Sequence, residues 1–543
     1  MRKIIFGSVA VTLVATPWVS AEALIIPKII VLACMALYII PETFMNLRGN
    51  NANKLVVVST SLIVLFIIQM MIVMVVSKAP FEQEFFGRTG RGLGFLTYFS
   101  LLTITSYTIL KIKFSDLSKI FQGMFISCIL SSTYSIFQFF GIDFFDWRTQ
   151  TNGIIGTIGN PNFQSSFVAI AFVPTVIYLW NFKYKYLLIS IIGSIFLFTL
   201  YICRSTQGYI ALAAASSLYA LLFLWFRRTK LIFGVALSFV ILGSFIALTG
   251  MLNKGPLSFY LYKVSVRSRG EMWNTAYSII KDNPLFGVGL DSVGDYSLKY
   301  RSQKTANGID EYIDNVHNFL LQFAATGGII LALVYLTITI LTFYSFIIIQ
   351  RRHGKFDKNL AALAAAWLPF QLQSLISPAA IPTLLWNFVI SGTVIGLAAK
   401  NSFEVISTEN NNRKEKSRSL LTRTLSFPLV IIALFLTIPL FNADRLARLA
   451  DTKKDALLAV KAAKSYPESV IRYNRLGAAL YESGLYDLSL DIGRSAVKFN
   501  PDSYLTWILI LVNPSATFEE RIAAKEKLIE IDPYNKVIRD YKF

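Results

Sequence analysis

The feature that most constrains this chain is a long series of apolar runs. A bilayer core is about 30 Å thick and takes about 20 apolar residues as a helix. By that ruler the sequence holds thirteen candidate spans, at approximately 4–19, 25–42, 55–77, 95–110, 120–140, 163–180, 186–202, 207–226, 231–250, 328–349, 360–377, 384–399 and 426–441. Helices satisfy every backbone polar group within themselves, so runs of this length predict an all-α polytopic transmembrane bundle of about 12–13 spans. Charged residues make up only 15% of the 543 and hydrophobic ones 54%, against roughly 25% charged in soluble domains. That balance excludes an ordinary cytoplasmic enzyme and a disordered tail protein. The first run, with Arg2 and Lys3 before it and Pro17 within it, reads either as a short span or as a cleaved signal peptide.

The net charge is +20, from 52 Lys+Arg against 32 Asp+Glu. Alternate loops are rich in basic residues: Arg48 and Lys54; Lys111, Lys113 and Lys119; Lys183 and Lys185; Arg227, Arg228 and Lys230; Arg351, Arg352, Lys355 and Lys358; and the run from Lys400 to Arg423. The loops between them carry Lys28 alone, then Lys78 with Arg88 and Arg91, then Arg148 alone, then Arg204 alone, then none. Short-loop Lys/Arg bias sets orientation. It predicts a cytoplasmic N-terminus and an external C-terminal tail, and it accounts for the basic balance without nucleic acid. Cys34, Cys128 and Cys203 are widely spaced and read as small apolar filler.

Four parts follow: N-terminal membrane helices at 1–250, a large external loop at 251–318, C-terminal membrane helices at 319–441, and a tail at 442–543. The tail has a period. Pro467, Pro501 and Pro533 each close a similar segment, and Tyr473 to Leu480 reads aromatic, then Leu-Gly, then small residues. This resembles the tetratricopeptide pattern of paired helices. It reads equally as a docking surface for a protein partner or as a structural cap.

The centres of the spans lack ionisable residues, which weighs against an ion-coupled transporter. Polar chemistry collects in the external loop. Arg267 and Arg269 precede Trp273; Asn283 to Gly289 reads Asn-Pro-Leu-Phe-Gly-Val-Gly; His317 and Asn318 stand before the next apolar run. That run is too long for one span, and Gly327-Gly328 offers a break, so a short interfacial helix is expected to begin beside His317. On residue type alone His317 reads as an interfacial polar group, and the two arginines as lipid headgroup contacts. A reactive reading also fits: Arg stabilises a diphosphate leaving group, and His activates a sugar hydroxyl. His353, between Arg352 and Gly354, reads as part of the cytoplasmic basic set.

Taken together, Arg269 with Trp273, the Asn283–Gly289 segment, Val316-His317-Asn318-Phe319 and Gly327-Gly328 resemble the signature loop of the bacterial O-antigen ligase/polymerase superfamily. Gly156 to Phe163, including Asn160, resembles a recurrent element on an earlier external loop. The likeness spans roughly residues 25 to 400. It implies a multi-pass inner-membrane glycosyltransferase with a periplasmic site. The donor implied is a glycan on undecaprenyl diphosphate, with no metal or other cofactor. His317 then maps to the base, Arg269 to the arginine that binds the donor diphosphate, and Arg267 to its neighbour, with Asn160 and Asn318 as further substrate contacts. The sequence departs from the pattern where many members carry Ser-Arg-Gly. Here Cys203 to Gly208 puts Gln207 on the arginine's position, and Arg204, one turn earlier, is the substitute. Three acceptors remain open: lipid A core (a ligase), a growing glycan (a polymerase) or a protein hydroxyl (an O-oligosaccharyltransferase). The alternatives of other classes are a polysaccharide or small-solute transporter and a non-catalytic scaffold.

Overall fold

The computed structural model describes residues 1–47, 53–145, 147, 153–262, 264–303, 313–400 and 412–543. The basic positions Arg48 and Arg148 lie outside them, as does much of the run after Lys400. Among the described residues the regular structure is entirely helical. The first half contains α1 (Arg2–Leu13), α2 (Ile25–Leu47), α3 (Lys54–Val76), α4 (Phe81–Phe86), α5 (Phe95–Lys111), α6 (Leu117–Phe139), α7 (Pro161–Leu179), α8 (Lys185–Cys203), α9 (Thr206–Phe226) and α10 (Lys230–Met251). Then come α11 (Ser258–Leu261), α12 (Val264–Asp282), α13 (Val293–Tyr300), α14 (Phe319–His353), α15 (Lys358–Ser374), α16 (Ile381–Ala399) and α17 (Asn412–Lys453). The tail adds α18 (Ala456–Ala463), α19 (Val470–Glu482), α20 (Tyr486–Phe499), α21 (Tyr504–Leu511), α22 (Phe518–Ile531) and α23 (Lys536–Arg539).

Ten of the described helices are long and apolar enough to cross a membrane: α2, α3, α6 to α10, α14, α16 and α17. The protein is therefore a multi-pass membrane protein. The other three expected spans are shorter helices, α1 with 12 residues and α5 and α15 with 17 each. All three pack within the same bundle. In α1 the chain turns extended at Val14, before Pro17.

Helix α5 shows how a hydroxyl-rich sequence is buried among apolar neighbours. Ser100, Thr103, Thr105, Ser106 and Thr108 each donate to the carbonyl four residues back, at 2.7–3.0 Å, so no buried hydroxyl among them is left unsatisfied. Gly392 and Gly396 of α16 then bring the two backbones together. A Cβ on Gly396 would sit 2.5 Å from the Ile109 carbonyl oxygen. This is the small-xxx-small logic of helix pairs in membranes.

Lys28 departs from expectation. It is not a loop charge but a buried residue of α2, and its Nζ donates to the carbonyls of Thr12 at 3.2 Å and Val14 at 2.8 Å. Those carbonyls lie at the C-terminal end of α1, where helical acceptors lack intrahelical donors and the dipole favours a cation. The basic residues at the other end of the bundle do gather. Arg352 donates to Ala398 O at 2.6 Å, and Lys400 to Ile112 O.

Helix α17 runs unbroken through Asn442 to Lys453. In the tail, α19 packs on α20 and α21 on α22. Pro467, Pro501 and Pro533 follow the ends of α18, α20 and α22, where a residue without an N–H stops a helix cheaply. Gly477 lets α19 approach Ile492 and Leu509, and Ser489 Oγ donates to its carbonyl at 2.9 Å.

The tail is fastened to the face of the bundle that bears His317. Arg301, after α13, forms a buried pair with Asp532, at 3.0 Å from Nε and 2.7 Å from Nη2. Asn500 donates to Asp295 at 3.1 Å, Tyr296 to Asp502 at 3.4 Å, and the Thr89 and Ser469 hydroxyls lie 2.6 Å apart.

Candidate functional site

The site is built around a break in α14. Gly328 has φ 82° and ψ 169°, a region open almost only to glycine. Into this break docks the Asn283–Gly289 segment. Val288 N donates to Ala325 O at 2.9 Å, Gly289 N to Thr326 O at 3.1 Å, and Ile329 N to Pro284 O at 2.8 Å. Gln69 of α3 closes the joint by donating to Leu285 O and Gly327 O, both at 3.0 Å. The loop glycine is needed because a Cβ on Gly287 would meet Ala325 O at 2.4 Å.

The short helix before the break holds His317 at its entrance. Phe319 is buried in an aromatic cluster, with ring centroids 4.6 Å from Phe323, 5.0 Å from Tyr335 and 6.3 Å from Phe370. Such pairs contribute about 0.5–1.5 kcal/mol each beyond burial. Asn318 is the N-cap: its Oδ1 accepts from Leu321 N at 3.0 Å, while its Nδ2 donates to Leu375 O at 3.2 Å. Asn315 Oδ1 accepts from His317 N at 2.9 Å, and Gln322 Oε1 from Val316 N at 3.0 Å. His317 itself has φ 55°, an uncommon left-handed conformation for a histidine.

Three charged groups act on the imidazole. Arg91, in the loop between α4 and α5, binds Asp314 bidentately, from Nε at 3.0 Å and from Nη2 at 2.8 Å. That loop is pinned by Asp291, which accepts from Arg88 N at 2.8 Å and Leu93 N at 3.3 Å. It is also held by a buried pair between Arg88 and Asp295 at 3.2 Å. Arg269, on α12, adds a second positive field. Burial, then the positive fields of Arg91 and Arg269, push the His317 pKa down to about 4, against a smaller upward pull from Asp314. His317 is thus neutral and able to accept a proton at neutral pH.

Arg269 is half-buried and its Nε, out of contact with solvent, has no hydrogen-bond partner among the described residues. Burial lowers its pKa. A guanidinium with an unused buried donor suits an anion. Arg267, two residues earlier on the same helix, is exposed.

The remaining expected residues divide. Asn160 caps α7, accepting from Asn162 N at 2.8 Å, and lines a cavity of about 620 Å³ that also reaches Arg91 and Asp314. Arg204 is the exposed, left-handed end residue of α8. Gln207 carries a buried Oε1 in α9 with no partner among the described residues. Among the described residues, no hydrogen bond or ion pair joins Arg204 or Gln207 to His317, and neither lines the cavity. Sequence reasoning missed Arg91 and Asp314 as site residues. The available signal was the Arg88-Thr89-Gly90-Arg91-Gly92 stretch, a pair of arginines in a loop otherwise on the charge-poor side.

Residues 191–336 match the family model described as O-antigen ligase. The chain therefore carries a domain of the O-antigen ligase family over these residues. The ligase domain so defined holds Arg204, Gln207, Arg267, Arg269, Asp314, His317 and the Gly328 break, but neither Arg91 nor Asn160. No curated protein gives a significant match. The family makes this an O-antigen ligase-like membrane glycosyltransferase in general terms.

Proposed function

We propose that the chain transfers a glycan from undecaprenyl diphosphate to an acceptor hydroxyl at the outer face of the bacterial inner membrane, without a metal. The observation that carries this reading is His317 at the entrance to α14 within the positive fields of Arg91 and Arg269, the latter with a buried Nε that has no hydrogen-bond partner among the described residues. In the reaction the acceptor O–H gives its proton to His317. The acceptor oxygen attacks the anomeric carbon of the donor sugar, and the bond from that carbon to the phosphate oxygen breaks. The diphosphate leaves with the bonding pair, its charge offset by Arg269 and Arg91. A bound diphosphate also cancels the positive field on His317 and raises its affinity for the proton it must take.

The N-terminus is then cytoplasmic, and the tail, a set of tetratricopeptide-like repeats, is periplasmic. In this reading the parts are the N-terminal membrane helices at 1–250, the external loop at 251–318, the C-terminal membrane helices at 319–441 and the tail at 442–543. The acceptor is a lipid A core sugar, a growing glycan or a protein hydroxyl.

The test is the glycan profile of a producing strain carrying His317→Ala in a chain that still inserts normally. General-base loss lowers turnover by about 10²–10⁴-fold, so the product should vanish and lipid-linked donor accumulate. Unchanged glycans would sink the proposal; unchanged glycans with lost solute uptake would favour a transporter. A missing O-antigen ladder identifies the ligase, single-repeat glycans the polymerase, and unmodified protein the oligosaccharyltransferase.

A further inference from the structure

The cavity beside Arg91 and Asp314 has a volume of about 620 Å³, within the roughly 300–1,000 Å³ typical of ligand sites. Of its lining, only Asp314 falls within the matched residues 191–336. The other walls are particular to the rest of the chain: the segment before α2, the entry to α7, the α15–α16 connection, the end of α17, and α19 of the tail.

The lining carries five cationic side chains, Lys28, Arg91, Arg448, Arg472 and Arg475, against three acidic ones, Glu22, Asp314 and Asp444. Beyond this excess, donors are left over. Arg472 is buried and donates from Nη2 to Ser465 O and to Pro467 O, the latter at 2.6 Å, while its buried Nε has no partner among the described residues. Arg448 has no ion pair among the described residues, and Arg475 holds only a part-exposed pair with Asp451 at 3.3 Å. Trp147 adds an aromatic side chain, anchored by its indole N–H on the Tyr134 hydroxyl. Guanidinium forks with free donors beside an aromatic ring suit a sugar that bears an anionic group.

Resting on the transferase reading above, we infer that this cavity is a glycan subsite for a sugar bearing a carboxylate or phosphate, and that the C-terminal tail is its outer wall through Ile471, Arg472 and Arg475. The tail is part of the substrate site, held there by the Arg301–Asp532 and Asn500–Asp295 contacts. The sugar belongs either to the donor chain or to the acceptor.

The test places the photo-reactive amino acid p-benzoylphenylalanine at position 471, and separately in place of the lining residue Phe163, in the full chain in producing cells. Illumination is followed by mass spectrometry of the adduct. An acidic saccharide is expected at both positions. An adduct that carries an isoprenoid assigns the sugar to the donor, and one without assigns it to the acceptor. Arg475→Gln should cut the adduct at least 10-fold, whereas Arg494→Gln, which breaks a surface pair with Glu520, should not. A neutral saccharide, a phospholipid, a peptide or no adduct at either position overturns the inference. The two readings separate in the His317→Ala background. Transfer lost with no saccharide adduct refutes the subsite alone. An adduct kept with glycans unchanged refutes the transferase alone.

Discussion

Arg91 donates through Nε and Nη2 to both carboxylate oxygens of Asp314, at 3.0 and 2.8 Å, across 223 residues of sequence. The pair joins a loop between α4 and α5 to the approach to α14, three residues before His317. It also touches the cavity that the tail helps to close. One ion pair therefore links the proposed base, the proposed leaving-group site and the proposed glycan subsite.

That pair makes the pH dependence of transfer specific. His317 is held at about 4 by burial, Arg91 and Arg269, with Asp314 opposing. In the free protein it stays neutral down to that value, so kcat/KM should fall on the acid side near pH 4 and not near 6.5. Arg91→Gln removes a positive neighbour and should move the acid limb upward. Asp314→Asn should move it further down. A pH–rate series on the three proteins checks this, and coincident limbs would refute the assignment.

The same shift predicts a stability change. A histidine depressed in the folded state binds fewer protons there than in the unfolded chain between about 4 and 6.5. Its contribution is present above 6.5 and is lost as pH falls through that window. Melting of purified His317→Gln should accordingly drop less than wild type between pH 6.5 and 4.

Gly328→Ala should collapse the site. The glycine-only conformation imposes on the order of 1–3 kcal/mol of strain. The new Cβ would also lie 1.9 Å from the Leu285 carbonyl oxygen. We expect a lower Tm in detergent and loss of transfer, since the Asn283–Gly289 segment is hung on this break. An unchanged melt would contradict the geometry.

The tail should come free when its buried anchor is broken. Arg301 and Asp532 are almost fully buried, and removing one partner of such a pair costs about 3–5 kcal/mol. Arg301→Met is expected to expose the tail to limited proteolysis near Lys454, while the membrane helices stay intact. Equal protection in the two proteins would show that other contacts hold it.

Orientation has its own test. A reporter fused after Phe543 should be active only outside the cytoplasm, and one inserted at Gly354 only inside. The reverse pattern would overturn the loop-charge argument.

Some of this was legible in the chain itself. Burial of about 20 consecutive apolar residues is a local property, so the spans, the Gly327-Gly328 break and the proline-punctuated tail all register as patterns within one segment. The family signature did too, because Arg269, the Asn283–Gly289 segment and His317 fall in one stretch.

Other features had no local signal. Lys28 looked like a loop charge because hydropathy cannot see that the end of α1 offers it two carbonyls. Helix α17 overran the apolar run because its continuation packs against the tail, as Ala443, Ala447 and Ala450 show by their burial.

The sequence alone determined that the chain is a helical membrane protein with a charged, histidine-bearing loop, since hydrophobic length and residue type act within a segment. Only the tertiary structure decided which charges meet that histidine and what closes the cavity beside it. Arg91 and Arg472 become neighbours of the site through ion pairs and docking contacts between segments hundreds of residues apart, and no periodicity along the chain encodes such encounters.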